Sequence, residues 1–161
     1  MIAGIIPARY ASSRFPGKPL IDIDGKSMLQ RVYEQASRSK LLDTVVVATD
    51  DQRIFEHAQS FGARVVMTGE NHPSGTDRCW DAVQQLSEQY DYVINIQGDE
   101  PFLNPEQIDE LANVLQDNSV ELATQMIAVH DHDILFDRGE VKIVLNEKNE
   151  HCISAGWSFL S

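Results

Sequence analysis

Long apolar runs are absent: no stretch approaches the roughly 20 residues that a membrane-spanning helix needs. Cysteine is scarce. Cys79 and Cys152 alone make neither a disulfide framework nor a metal-ligand spacing, which points to a reducing cytoplasm as the expected location. Positive charge is in deficit, with 13 Lys+Arg against 25 Asp+Glu and a net charge of −12. Such a surface repels nucleic acid and anionic lipid, so neither is expected as a partner. Residues 1–6 lack a basic leader and are interrupted by Pro7-Ala8-Arg9, so no signal peptide is expected there. There are no repeats, linkers or low-complexity segments, and neither a P-loop nor a G-x-G-x-x-G fingerprint is present. The 161 residues, 42% of them hydrophobic, suit one α/β domain over 1–161.

Against the acidic background, one stretch stands out. The apolar run Ile2–Ile6 reads as a buried strand, expected to end at Pro7. A loop of small residues follows and carries Arg9, Arg14 and Lys18 within ten positions, among Ser, Ala and Gly that permit close backbone approach. Three cations leaving one strand end can hold a polyphosphate, with backbone N–H groups and serine hydroxyls sharing the task. Ser12 and Ser13 have no neighbouring His base, which argues against a serine nucleophile.

Further along, strands are expected at Leu42–Thr49, Arg64–Met67, Tyr92–Ile96, Leu122–Val129 and Val141–Leu145. Amphipathic helices alternate with them. One is capped by Ser27, one starts at Asp50 or Asp51 and closes at Gly62, one opens at Thr76 or Asp77, and one has Asn104 as cap with Pro105 and Glu106 in its first turn. Phe55 and Trp80 fall on apolar helix faces and are expected in the core. This alternation predicts a parallel-rich mixed sheet with helices on both faces. In such sheets ligands bind at the carboxyl ends of the strands, so the 7–18, 72–78 and 97–102 loops should share one rim.

Gln97-Gly98-Asp99-Glu100-Pro101 places a carboxylate on that rim after a tight glycine turn. Opposite a cationic phosphate loop, Asp99 is suited to hold Mg²⁺ bridging protein and phosphates. The third loop, His72-Pro73-Ser74-Gly75-Thr76-Asp77-Arg78, reads on its own as a helix entrance with a solvated Arg78. His130-Asp131-His132-Asp133 reads as a surface loop rather than a metal site.

In order and spacing these motifs resemble the sugar-acid cytidylyltransferases, specifically the 3-deoxy-manno-octulosonate (Kdo) cytidylyltransferases, or CMP-Kdo synthetases. The resemblance rests on Ile6–Leu20, Val47-Ala48-Thr49-Asp50-Asp51, Ser74-Gly75-Thr76-Asp77-Arg78 and Asn95-Ile96-Gln97-Gly98-Asp99-Glu100-Pro101, and it weakens at Val141–Leu145. It implies a nucleotide-diphospho-sugar transferase-like, Rossmann-like fold. It also implies the Mg²⁺-dependent reaction CTP + Kdo → CMP-Kdo + diphosphate, feeding lipopolysaccharide biosynthesis, in a homodimer. By the same resemblance Pro7, Ala8, Arg9, Arg14 and Lys18 surround the nucleotide, the three cations on its triphosphate. Ser74, Gly75, Thr76, Arg78 and Gln97 lie against the cytidine, Asp99 binds Mg²⁺, and Arg9, Lys18 and Asp99 form the catalytic set.

Members of that family extend well beyond residue 161, and the part beyond is implied to supply the sugar-acid site, a second metal-binding Asp and most of the dimer-forming segment. Asp137-Arg138-Gly139-Glu140 replaces the family's Asn-Pro-Asn-like lead, and residues 146–161 are atypical. A C-terminally truncated product, by frameshift or early stop, is therefore expected. Two alternatives stay open at this point: an inactive remnant that still binds CTP, and a cytidylyltransferase for a related acid such as 8-amino-Kdo.

Overall fold

The first apolar run forms β1 (Ile2–Ala8), an inner strand of a four-stranded parallel sheet. Its neighbours are β4 (Thr44–Thr49), with Ala3 opposite Thr44, and β6 (Tyr92–Asn95), with Ile2 opposite Tyr92. β5 (Arg64–Met67) lies outside β4, giving the order β5-β4-β1-β6. The computed structural model describes residues 1–11, 15–126, 128–136, 142–145 and 151–155. It comprises two compact units, Met1–Ala123 and Thr124–Ser161.

The continuous apolar strands are explained by a sheet buried on both faces. Ile6, Val45, Val47 and Ile94 point to one side, where they pack on Leu29, Val32 and Ala36 of α1 (Met28–Ala36) and on Ile54 and Ala58 of α2 (Gln52–Ser60). Ile108 and Ala112 of α4 (Pro105–Val114) complete that layer. Ala3, Ile5, Val46 and Ala48 face the other way, onto Cys79 and Ala82 of α3 (Gly75–Gln84). Each fully buried Ile, Leu or Val contributes about 1.5–3 kcal/mol relative to an exposed one. A short hairpin, β2 (Asp22–Ile23) and β3 (Lys26–Ser27), turns at Asp24-Gly25 and delivers the chain to α1. Among the described residues no helix is long and apolar enough to cross a membrane.

Helix starts follow the expected chemistry with one exception. Ser27 accepts from Gln30 N–H at 3.0 Å, Asp51 from Arg53 N–H at 2.9 Å, and Asn104 from Glu106 N–H at 3.1 Å ahead of Pro105. Gly62, just past α2, takes the left-handed conformation at φ 79°. α3 starts earlier than Thr76 or Asp77. Ser74 is its cap, accepting from Asp77 N–H at 3.2 Å, while the Ser74 hydroxyl donates to the Asp77 carboxylate and is held in place by it.

Five expectations are corrected. β1 does not stop at Pro7 but runs through it to Ala8, and β4 begins at Thr44 rather than Leu42. In a parallel ladder alternate residues address the same neighbour. Ile5 faces β6, accepting from Ile96 N–H at 2.8 Å, so position 7 faces β6 as well. Pairing on that side ends at Ile5, and the missing proline donor is therefore not needed. Trp80 is 65% exposed, because the buried stripe of α3 is Arg78, Cys79 and Ala82. Phe55 is only half-buried. Leu122–Val129 forms no strand among its described residues, and Leu122 is 82% exposed; β-propensity is realised only where a partner strand supplies hydrogen bonds.

In the second unit α5 (His132–Phe136) precedes an antiparallel pair, β7 (Lys142–Leu145) and β8 (His151–Ala155). Position 141 of the expected last strand, residues 137–140 and the atypical 146–150 and 156–161 lie outside the described residues.

Candidate active site

All four strands of the main sheet are parallel, so their carboxyl ends share one rim. From β1 the chain moves outward through β4 and β5 on one side, then returns to β6 on the other. The β1/β6 boundary is therefore the topological switch point, where a crevice opens and ligands bind in such sheets.

Three glycine and proline positions shape this crevice. A Cβ on Gly98 would lie 3.1 Å from the Pro7 carbonyl oxygen. One on Gly75 would lie 3.4 Å from Pro7 Cγ and 4.0 Å from Asn95 Nδ2. The turn after β6 and the N-terminus of α3 thus both close on Pro7, and the turn does so at a distance where a side chain on Gly98 would crowd the Pro7 carbonyl.

The loop after β1 carries its charge to the same place. Arg9 donates to the His72 carbonyl, linking the end of β1 to the loop before α3. Lys18 opens a 3-10 turn (Lys18–Leu20), and its Nζ lies 2.7 Å from Asp99 Oδ2. Both partners are half in solvent, 40% and 51% exposed, so the pair contributes little to stability and holds two opposite charges ready at the rim. Asn104 supplies the cap of α4, which leaves the Asp99 carboxylate free of that duty.

Arg78 is placed differently from both of its sequence readings, being neither solvated nor open at the rim. Its side chain is 0% exposed. It pairs with Asp50 and donates to Thr68 Oγ1 and to the Gly69 carbonyl at 3.3 Å, while its Nε has no hydrogen-bond partner among the described residues. The ends of β4 and β5 are thereby tied to α3. His72 Nε2 lies 2.7 Å from Asp81 Oδ2, which also accepts from Gly69 N–H at 2.8 Å. The Gly69 N–H, then His72, then Gln85, hold the Asp81 carboxyl below the ordinary aspartate value.

The structure thus gathers Pro7, Arg9, Lys18, Ser74, Gly75 and Asp99 around the crevice. Gln97, just past β6, and Thr76, at the start of α3, are exposed beside it, and Ala8, 2% exposed, has only its backbone to offer. Arg14, with Ser12 and Ser13, lies outside the described residues. Sequence reasoning missed Asp50 and Thr68 as the seat of Arg78. The stripe Cys79-Ala82-Val83-Leu86, at spacings of three and four, was the signal that α3 turns its Arg78 edge inward.

A family model described as cytidylyltransferase matches residues 3–155. The chain belongs to the cytidylyltransferase family. Among curated relatives, the 3-deoxy-manno-octulosonate cytidylyltransferase of Parabacteroides distasonis is 52% identical over 151 residues, covering 91% of this chain and 59% of the relative. That of Leptospira interrogans is 47% identical over 150 residues, covering 92% and 60%. A solved structure of CMP:2-keto-3-deoxy-manno-octonic acid synthetase complexed with CTP superposes at a TM-score of 0.83 with 35% identity, over 96% of this chain and 63% of that one. The 4-diphosphocytidyl-2C-methyl-D-erythritol synthase of Anaerococcus prevotii, at 15% identity and a TM-score of 0.56, covers 98% of this chain and 65% of that one and shares the fold alone. The fold is thus the Rossmann-like α/β fold of nucleotidyltransferases. This cytidylyltransferase chain spans about 60% of the length of the curated relatives it matches.

Proposed function

We propose that this chain forms the nucleotide-binding part of a 3-deoxy-manno-octulosonate cytidylyltransferase, binding CTP at the β1/β6 crevice for transfer of CMP to Kdo with release of diphosphate. One observation carries the reading: Lys18 and Asp99, from the loops after β1 and β6, meet at 2.7 Å on the rim that Arg9 also reaches. A cation and a carboxylate brought together there match the needs of a polyphosphate and its counter-ion.

The donor set suits Mg²⁺. Among the described residues no three His, Cys, Asp or Glu side chains converge into an all-protein cage. Mg²⁺ characteristically takes one or two carboxylates and completes its shell with substrate phosphates and water, and Asp99 can serve as such a carboxylate. Bound there, the ion supplies positive charge to the phosphoryl oxygens.

The chain's own residues account for the rest. As a sugar hydroxyl attacks the α-phosphorus in line, negative charge builds on the α-phosphoryl group and on the departing diphosphate. Arg9 and Lys18, with Arg14 of the same loop, neutralise that charge and stabilise the transition state more than the ground state. The α3 N-terminus at Ser74-Gly75 directs N–H groups at the crevice mouth, with Thr76 and Gln97 beside the cytidine. Arg78 acts from inside, by fixing α3. Pro7 and Ala8 line the floor with backbone. The reading extends to a cytoplasmic homodimer that supplies activated Kdo for lipopolysaccharide.

Calorimetric titration with CTP and Mg²⁺ tests the binding step, and diphosphate release on adding Kdo tests the transfer. CTP binding that Lys18→Met abolishes supports the reading. A chain that binds CTP no better than ATP, or that binds equally well without Lys18, overturns it.

A further inference from the structure

Arg53 has no place in the function described so far, yet its side chain is fixed by three contacts. Its guanidinium carbon sits 3.3 Å from the centre of the Tyr10 ring. Its Nε and Nη2 donate to the two oxygens of Asp51 at 2.9 and 2.6 Å, a bidentate pair. Asp51 in turn caps α2 by accepting from Arg53 N–H. An arginine on a mostly exposed helix start is thereby held flat against an aromatic ring, the geometry in which a cation and a π face attract.

Tyr10 follows Arg9 directly and stands at the start of the cationic loop. The loop closes on it. Gly17 N–H donates to the Tyr10 carbonyl at 2.9 Å, and Gly17, at φ 75°, lies so near the ring that an added Cβ would sit 3.2 Å from it. Lys18 comes next, and the 3-10 turn is completed by Leu20 N–H on the Gly17 carbonyl at 2.9 Å. One ring therefore touches both ends of the loop. Arg9 leaves one side of this closure and Lys18 the other.

We propose that Arg53 and Tyr10 form a clasp that fixes Arg9 and Lys18 relative to each other, making Arg53 a positioning residue for polyphosphate binding. The inference rests on the nucleotide-binding reading above for its functional half, and on the loop geometry alone for its structural half. The clasp acts on the phosphate chain and not on the base, because both cations it aligns lie on the loop and not on the 72–78 or 97–102 turns. Its loss is therefore expected to fall on CTP and to spare CMP.

The test compares Arg53→Met, Tyr10→Leu and Tyr10→Phe in the full chain. Affinities for CTP and CMP are read by calorimetry, and Gly17 amide exchange by NMR. Arg53→Met and Tyr10→Leu should each weaken CTP about 5- to 30-fold, leave CMP within about 2-fold, and speed Gly17 exchange roughly 10-fold, Arg53→Met at unchanged melting temperature and Tyr10→Leu at a lowered one because its ring also packs on the core. Tyr10→Phe keeps the ring face and should restore both readouts. The double variant Arg53→Met/Tyr10→Leu should be no worse than either single, as for partners in one contact. An Arg53→Met chain with parental Gly17 exchange overturns the clasp, whether or not the protein binds CTP. Faster exchange with an unchanged CTP-to-CMP ratio overturns its positioning role. Failure of the parent to bind CTP while Gly17 exchange still responds to Arg53→Met counts against the nucleotide reading and for the clasp.

Discussion

Replacing Arg78 with methionine is the most demanding test of how the α3 loop is held. Methionine keeps much of the volume and removes every donor. It strands the Asp50 carboxylate, whose side chain is 17% exposed, and leaves Thr68 Oγ1 and the Gly69 carbonyl without their arginine. Breaking a buried pair from one side costs about 3–5 kcal/mol, since an uncompensated charge remains. The partial exposure of Asp50 sets the expected value at the lower end, about 3 kcal/mol. Against a typical total of about 5–15 kcal/mol that is a large fraction, and it lowers the melting temperature by roughly 6–12 °C at this chain length. Denaturant unfolding followed by circular dichroism measures it; Trp80 fluorescence is a poor reporter, being solvated already. The double variant Arg78→Met/Asp50→Leu removes both charges, and should recover at least about 1 kcal/mol relative to Arg78→Met alone. A single variant within about 1 kcal/mol of the parent, or single effects that merely add in the double, would refute the view that this pair is a buried, mutually dependent unit.

Gly98→Ala should weaken CTP binding at least about 10-fold by forcing the turn after β6 off the Pro7 carbonyl, a contact of backbone on both sides; isothermal titration checks it. Cys79 is buried and its thiol is pushed up to about 12 by that burial, so alkylation in a Cys152→Ser background should proceed only as fast as the protein opens. Asp81 has a depressed folded value, so its contribution is present above the unfolded value near 3.8 and is lost as pH falls through the folded one. Acid titrations of stability should therefore be shallower below about pH 4 in Asp81→Asn than in the parent.

What the sequence made legible was whatever is decided locally. A run of Val45-Val46-Val47-Ala48 has to be buried on both faces, and Ser27, Asp51 and Asn104 announce helix starts through side chains two or three residues from the groups they satisfy. The rim followed from parallel strands, and with it a place for Asp99 facing the cationic loop, whereas its direct pairing with Lys18, 81 positions apart, did not. Arg78 was illegible because charge alone predicts solvent, and only a carboxylate from another strand end makes its burial tolerable. Trp80 went wrong for the converse reason: its size suggested the core, whereas the helix phase is set by smaller residues, Cys79 and Ala82. Leu122–Val129 has strand composition, and a strand's partner is not written in its own residues.

Pro7 has a consequence for how the crevice stays open. Toward β4 the ladder continues to Ala8 opposite Thr49, while toward β6 it ends at Ile5 opposite Asn95. The two sides of β1 thus unzip at different heights, and the residue at the fork is the one that has no hydrogen to offer. A valine there would carry the missing N–H and invite β6 to zip further along β1, where the Gly98 turn now bends. Added sheet and an open mouth compete for the same stretch of backbone, and an imino acid at position 7 decides the competition for the mouth.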